Sequence, residues 1–169
     1  MKNIKLLLAI FGLLTAFSFT ASAQDITFTS LEGEKIDLQS QKGKVVVMAI
    51  GASWLPLSKG QADAINKLSR KYTGRDVAFF FIATDSETEK SKNYASNADI
   101  RKFAESSKLT VSVLRDSDGL QTVKQYKVEQ LPTFIILDKN GKLATEPFGG
   151  VDPKADISLI LSQKIDEIL

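Results

Sequence analysis

Two periodicities run along this chain, and the places where one gives way to the other mark its elements. The run Val45 to Ile50 (VVVMAI) has no polar alternation, the pattern of a strand covered on both faces. Gly51, Ala52 and Ser53 end it. After Pro56 the apolar residues Leu57, Ile65, Leu68 and Tyr72 recur near multiples of 3.6, which predicts a helix with Gly74 as its C-terminal cap. Upstream, Ile26 and Phe28, the turn Glu32-Gly33, then Ile36 and Leu38 predict a hairpin. Val77 to Thr84 predicts a second strand.

Asp85 to Ala98 (DSETEKSKNYASNA) is polar and without period, and it is long for a connection, so it reads as a solvated surface loop. From Asp99, the residues Ile100, Phe103 and Ala104 indicate a helix, Val111 to Leu114 a strand, and Leu120, Val123 and Tyr126 a further short helix. Phe134 to Leu137 predicts another strand, and Asn140-Gly141 a hairpin turn into Leu143 to Phe148. Asp152-Pro153 has the signature of a helix start, with Ile157, Ile160, Leu161, Ile165 and Ile168 as the buried stripe. Its other face carries Asp156, Asp166 and Glu167 beside Lys154 and Lys164, too acidic for a membrane-surface helix. Strands separated by helices, with one terminal hairpin, predict an α/β sandwich around a mixed sheet.

The amino terminus changes the picture. Lys2 and Lys5, the apolar run Leu6 to Phe19 and Ala21-Ser22-Ala23 have the three parts of a secretory signal peptide, cleaved after Ala23. The run is short of the roughly 20 apolar residues a membrane span requires. We therefore expect a leader over 1–23, a folded domain over 24–169, a periplasmic or secreted protein and no membrane insertion after cleavage. Loss of the leader reduces 22 basic residues to 20, against 20 acidic. A neutral chain without a basic, aromatic-interleaved cluster gives no expectation of nucleic-acid binding. The chain contains no cysteine and no histidine, and Met48 is the one methionine beyond the leader, so soft-metal sites are not expected. Asp116-Ser117-Asp118-Gly119 lacks the further ligands of a calcium loop and reads as a turn. No cofactor is implied.

The turn Trp54-Leu55-Pro56-Leu57-Ser58, placed between a buried strand and a helix, resembles the Trp-Cys-Pro-Pro-Cys turn of the thioredoxin superfamily, most closely its TlpA-like extracytoplasmic thiol-disulfide oxidoreductases. The resemblance extends over Phe28 to Gly43, Val77 to Thr84, Leu131-Pro132-Thr133-Phe134 and Asp138-Lys139-Asn140-Gly141. It implies a thioredoxin-like sandwich with an N-terminal β-hairpin, and a cis proline at Pro132 facing the turn. It also places the family's two cysteines at Leu55 and Ser58, and a buried carboxylate position at Ala49. Dithiol exchange needs a thiolate to attack and a second thiol to resolve the mixed disulfide, and this chain has neither.

Three functions stay open on the sequence. The favoured one is a redox-inactive binding module that holds an extended peptide or envelope protein through Trp54, Leu55, Pro56, Leu57 and Ser58 on the turn and Gln130, Leu131, Pro132 and Thr133 on the facing edge, with no catalytic residue. The second, implied by the resemblance, is a thiol-disulfide oxidoreductase of envelope redox homeostasis or cytochrome maturation. The third is a non-thiol enzyme built on Ser58 with Lys59 as the nearest base in sequence. The favoured reading expects a partly exposed apolar patch beside Pro132.

Overall fold

The computed structural model describes residues 26–150 and 155–169, so the expected leader and the Asp152-Pro153 pair lie outside the described residues. In chain order the elements are β1 (Thr27–Ser30), β2 (Lys35–Asp37), β3 (Val45–Gly51), α1 (Ser58–Lys71), β4 (Val77–Ala83), α2 (Asn97–Ser106), β5 (Ser112–Arg115), α3 (Thr122–Tyr126), β6 (Thr133–Leu137), β7 (Phe148–Gly149) and α4 (Ile157–Ile168). The strands form one mixed sheet in the order β2-β1-β5-β4-β3-β6-β7. β3, β4 and β5 run parallel, and the remaining neighbours are antiparallel.

Every residue of β3 is buried, as its unalternating sequence requires of a central strand with both faces covered. Val45, Val47 and Ala49 pack with Ile65 and Leu68 of α1, Tyr72 at its C-terminal cap, Ile100 of α2 and Leu161 and Ile165 of α4. Val46, Met48 and Ile50 face the other way, onto Phe28, Phe80, Leu114, Tyr126 and Ile135. The period of two along β3 thus divides the core into two layers.

Several expectations change on contact with the structure. Leu57 does not join the buried face of α1; it stands at the helix start, 38% exposed. Gly74, at φ +77°, lies two residues past Tyr72, where α1 ends. On α4 only Leu161 and Ile165 of the apolar stripe are fully buried, while Ile160 is exposed; among the described residues α1 is the helix that packs most closely against α4. The α4 cap is Asp156, whose carboxylate accepts from the Ser158 amide. Leu120 and Val123 are exposed rather than core, and Tyr126 alone of that trio is buried. The strand expected over Leu143 to Phe148 reduces to an isolated bridge at Leu143 and the two residues of β7.

Tyr72 closes the α1 to α4 contact. The single proton of its buried hydroxyl is shared between the Ser162 carbonyl at 2.9 Å and Asp166 Oδ1 at 2.8 Å, and Lys71 Nζ reaches Asp166 Oδ2 at 3.1 Å. The Tyr72 hydroxyl and then the Lys71 ammonium hold the Asp166 carboxyl below the ordinary carboxylate range. A group whose folded pKa is depressed contributes stability above its unfolded value and loses it as pH falls through the folded one. Tyr72→Phe should therefore cost about 1 kcal/mol near neutrality by urea unfolding. The difference between the two proteins should shrink as pH falls from the ordinary aspartate range through the lowered folded value of Asp166.

Candidate functional site

The carboxyl ends of the three parallel strands coincide, since Gly51 pairs with Ala83 and Ala83 with Arg115. Ligands of open α/β sheets bind at such an end. Here it gathers three connections: the turn after β3, the loop after β4 and the Asp116 to Gln121 segment after β5. The β3 and β6 ladder ends at Ile50 opposite Thr133. β3 continues to Gly51 and the Leu131-Pro132 segment precedes Thr133, so the Trp54 turn and that segment leave the sheet from the same end. The Leu131-Pro132 peptide bond is cis.

The turn exposes apolar surface. Trp54 is 50% exposed, Pro56 and Leu57 are exposed, and Leu55 is half-buried. Gln130 is exposed and Leu131 half-buried, whereas Ser58, Pro132 and Thr133 are buried and present no side chain to a partner. Ser58, fully buried, accepts from the Ala52 amide at 3.3 Å. A hydroxyl enclosed in this way, with Lys59 exposed to solvent, has neither access nor base, and the Ser58 enzyme is set aside. Gln130 lies along the backbone of β7: a Cβ built on Gly149 would stand 2.7 Å from its Nε2. Ala49 is fully buried between Phe81 and Phe134.

Three polar residues at this end escaped the sequence reading. The fully buried Asp85 accepts from the Ser53 amide at 3.0 and 3.1 Å and from its hydroxyl at 2.5 Å, fixing the residue before Trp54. Arg115 is 6% exposed; the two hydrogens of its Nη2 are shared among the carbonyls of Asp85, Ser86 and Ala95, and its Nη1 donates to Asn97 Oδ1. Its Nε is 3.5 Å from the exposed Glu87 carboxylate, too poorly aligned for a hydrogen bond. The segment expected as a solvated loop is thus anchored at both ends: Asp85, Ser86 and Ala95 are buried, and α2 begins at Asn97. Its middle, Glu87 to Tyr94, faces solvent or nearly so. Gln61, fully buried on α1, is the third.

Asp116 is consumed structurally, accepting from the amides of Gln121 and Thr122 and from the Thr122 hydroxyl at the start of α3. Among the described residues no group of three carboxylates, histidines or cysteines is arranged to hold a metal ion. A separate concavity lined by Leu38, Gln39, Val46, Tyr126 and Leu137 lies at the opposite end of β3 and takes no residue from the turn.

Residues 19–145 match the AhpC/TSA family. This chain belongs to the AhpC/TSA family, whose fold is thioredoxin-like. Relatives of this AhpC/TSA chain include the thioredoxin-like protein YneN of Bacillus subtilis, 29% identical over 85% of this chain and 76% of the relative. The thiol-disulfide oxidoreductase ResA of Bacillus thuringiensis is 29% identical over 73% of this chain and 66% of its own length. A Chlorobium tepidum structure named as a thiol:disulfide interchange protein, DsbE, superposes with a TM-score of 0.71 at 24% identity, over 86% of this chain and 94% of that one. The fold assignment and the kinship to thiol-disulfide oxidoreductases therefore stand, in an AhpC/TSA chain that has no cysteine.

Proposed function

We propose that this protein is an exported, redox-inactive member of its family that holds an extended peptide or protein segment across the Trp54 to Leu57 turn and the Leu131-Pro132 edge. The observation that carries the reading is the combination at one site of exposed apolar side chains with a backbone held rigidly from below. Trp54, Pro56 and Leu57 face solvent, while Asp85 fixes Ser53 and Ser58 is locked under the helix start. Exposed apolar groups on a well-anchored turn are the usual mark of a contact surface. Thiol exchange has no nucleophile in this chain, so the oxidoreductase reading is retained only as ancestry. The leader pattern over Met1 to Ala23 supports export.

The test uses Trp54 as its own probe, since it is the one tryptophan in the chain. Titration of mature protein with a thiol-blocked, tryptophan-free unfolded polypeptide should give a saturable change in emission. Leu57→Asp, which puts a charge on the exposed turn, should weaken the binding about tenfold, the scale set by 1.4 kcal/mol. Absence of binding across a panel of extended peptides would remove the proposal. In a separate assay the protein should not accelerate insulin reduction by dithiothreitol over a buffer blank, and any protein-dependent rate would end the claim of redox inactivity.

A further inference from the structure

Gln61 closes the first turn of α1 and is fully buried. Its Nε2 donates twice, to the Ile50 carbonyl at 3.2 Å and to the Thr133 carbonyl at 2.7 Å. Those two residues are the opposed pair that ends the β3 and β6 ladder, one step before Gly51 and Pro132. One side-chain amide therefore ties a helix to the ends of both strands from which the candidate site projects. Two donations to carbonyls also fix which end of the amide is nitrogen.

The neighbours are shaped around it. A Cβ on Gly51 would lie 2.5 Å from Gln61 Oε1, 2.8 Å from Ser58 Oγ and 3.1 Å from the Phe81 ring, so Gly51 leaves the space that Gln61 fills. The Gln61 Oε1 and Thr133 Oγ1 atoms are buried with no hydrogen-bond partner. Leaving an acceptor unpaired in the interior is unfavourable, so the position is not explained by satisfaction of the amide itself. What the arrangement secures is the spacing between the end of β3 and the start of β6.

We infer that Gln61 is the positioning residue of the candidate site, a buried clamp that sets the Leu131-Pro132 edge against the Trp54 turn. Its consequence for binding rests on the function proposed above, but the clamp has a test that needs no ligand. Gln61→Glu replaces the double donor with a group that can donate once when neutral and not at all when ionised. The ionised form would face the two carbonyls in a buried position, where charge is disfavoured. The groups bonded to residue 61 are the Ile50 and Thr133 carbonyls, and around the neighbouring Gly51 stand the Ser58 hydroxyl and the Phe81 ring, none of which titrates in this range; Lys59 and Asp63, its ionisable neighbours on α1, are exposed.

The chain suits this measurement because it has no histidine and no cysteine. Between pH 5 and pH 9 the one ordinary titration is that of the amino terminus, which wild type and variant share. Trp54 emission and the amide signals of residues 131 and 133 should stay level across that window in wild type. In Gln61→Glu they should lie near wild type at pH 5, where the neutral acid keeps one of the two donations, and move further away with a single transition as pH rises, with far-ultraviolet circular dichroism unchanged. Binding of the thiol-blocked polypeptide should weaken at least tenfold through the same transition, in the variant alone. Level signals in folded Gln61→Glu would overturn the inference. Should that variant not fold, Gln61→Met keeps the shape without the donor and must displace the residue 131 and 133 amides; unchanged amides would overturn the inference equally. If the signals move but wild type binds no peptide, the clamp stands and the proposed function falls.

Discussion

Replacing Arg115 by methionine should destabilise the protein by about 3 kcal/mol, the largest loss expected from a single side chain at this end of the sheet. Methionine keeps most of the aliphatic stem and removes the guanidinium. The carbonyls of Asp85, Ser86 and Ala95 and the Asn97 side chain then lose their shared donor in a region where Arg115 itself is nearly inaccessible. Each buried acceptor left unpaired costs about 1–3 kcal/mol, and partial opening of the loop to water offsets some of the sum. Urea unfolding should show the loss in the midpoint. The opening should appear separately as faster tryptic cleavage at Lys90 and Lys92, both exposed in the loop that Arg115 holds. Ser53→Ala provides the contrast: the Ser53 amide still donates to Asp85, so its cost should stay near 1 kcal/mol. A loss below 1 kcal/mol for Arg115→Met, with unchanged cleavage, would mean that the segment holds itself.

That loop also shows where sequence reading stops. β3 was legible because a strand covered on both faces must be apolar throughout, and the core positions of α1 because a helix buried along one face repeats every 3.6 residues. The turn between them was legible through its resemblance to a known motif. Asp85, Arg115 and Gln61 were not. A buried polar residue is explained by its partners, and those lie at separations of 32 residues for Asp85 with Ser53, 30 for Arg115 with Asp85 and 72 for Gln61 with Thr133. A polar string such as Asp85 to Ala98 looks the same to a composition rule whether or not an arginine from another strand is inserted beneath it. The opposite error has the same origin: Leu57, Leu120, Val123 and Ile160 keep a helical apolar spacing but are only partly covered, so they remain exposed. Periodicity reports that a face is apolar and says nothing of what covers it.

Restoring sulfur to the turn, as Leu55→Cys with Ser58→Cys, should convert the site into one that closes a disulfide. The Ser58 amide donates to the Leu55 carbonyl at 3.0 Å, so the two residues close a single turn at the start of α1. An i to i+3 turn brings Cα atoms within about 7 Å, against the roughly 4.4–6.8 Å a disulfide spans. The start of α1 has no side-chain cap, which leaves its amides and the helix dipole to stabilise a thiolate at position 55. The thiol at the half-buried position 55 should titrate below the ordinary value of about 8.5. The thiol at position 58 would occupy the enclosed space beside the Ala52 amide, as the hydroxyl does now. Under mild oxidant the double variant should lose 2 Da as an intramolecular bond forms, on the basis of the two hydrogens released. Catalysis of insulin reduction should nevertheless be slow. Ala49 supplies no carboxylate to move the second proton, and the exposed Leu57 side chain stands beside the attacking position. A folded double variant that resists oxidation would show that Trp54 to Ser58 does not have the geometry of the family's redox turn, and the proposed peptide site would lose the framework on which it was placed.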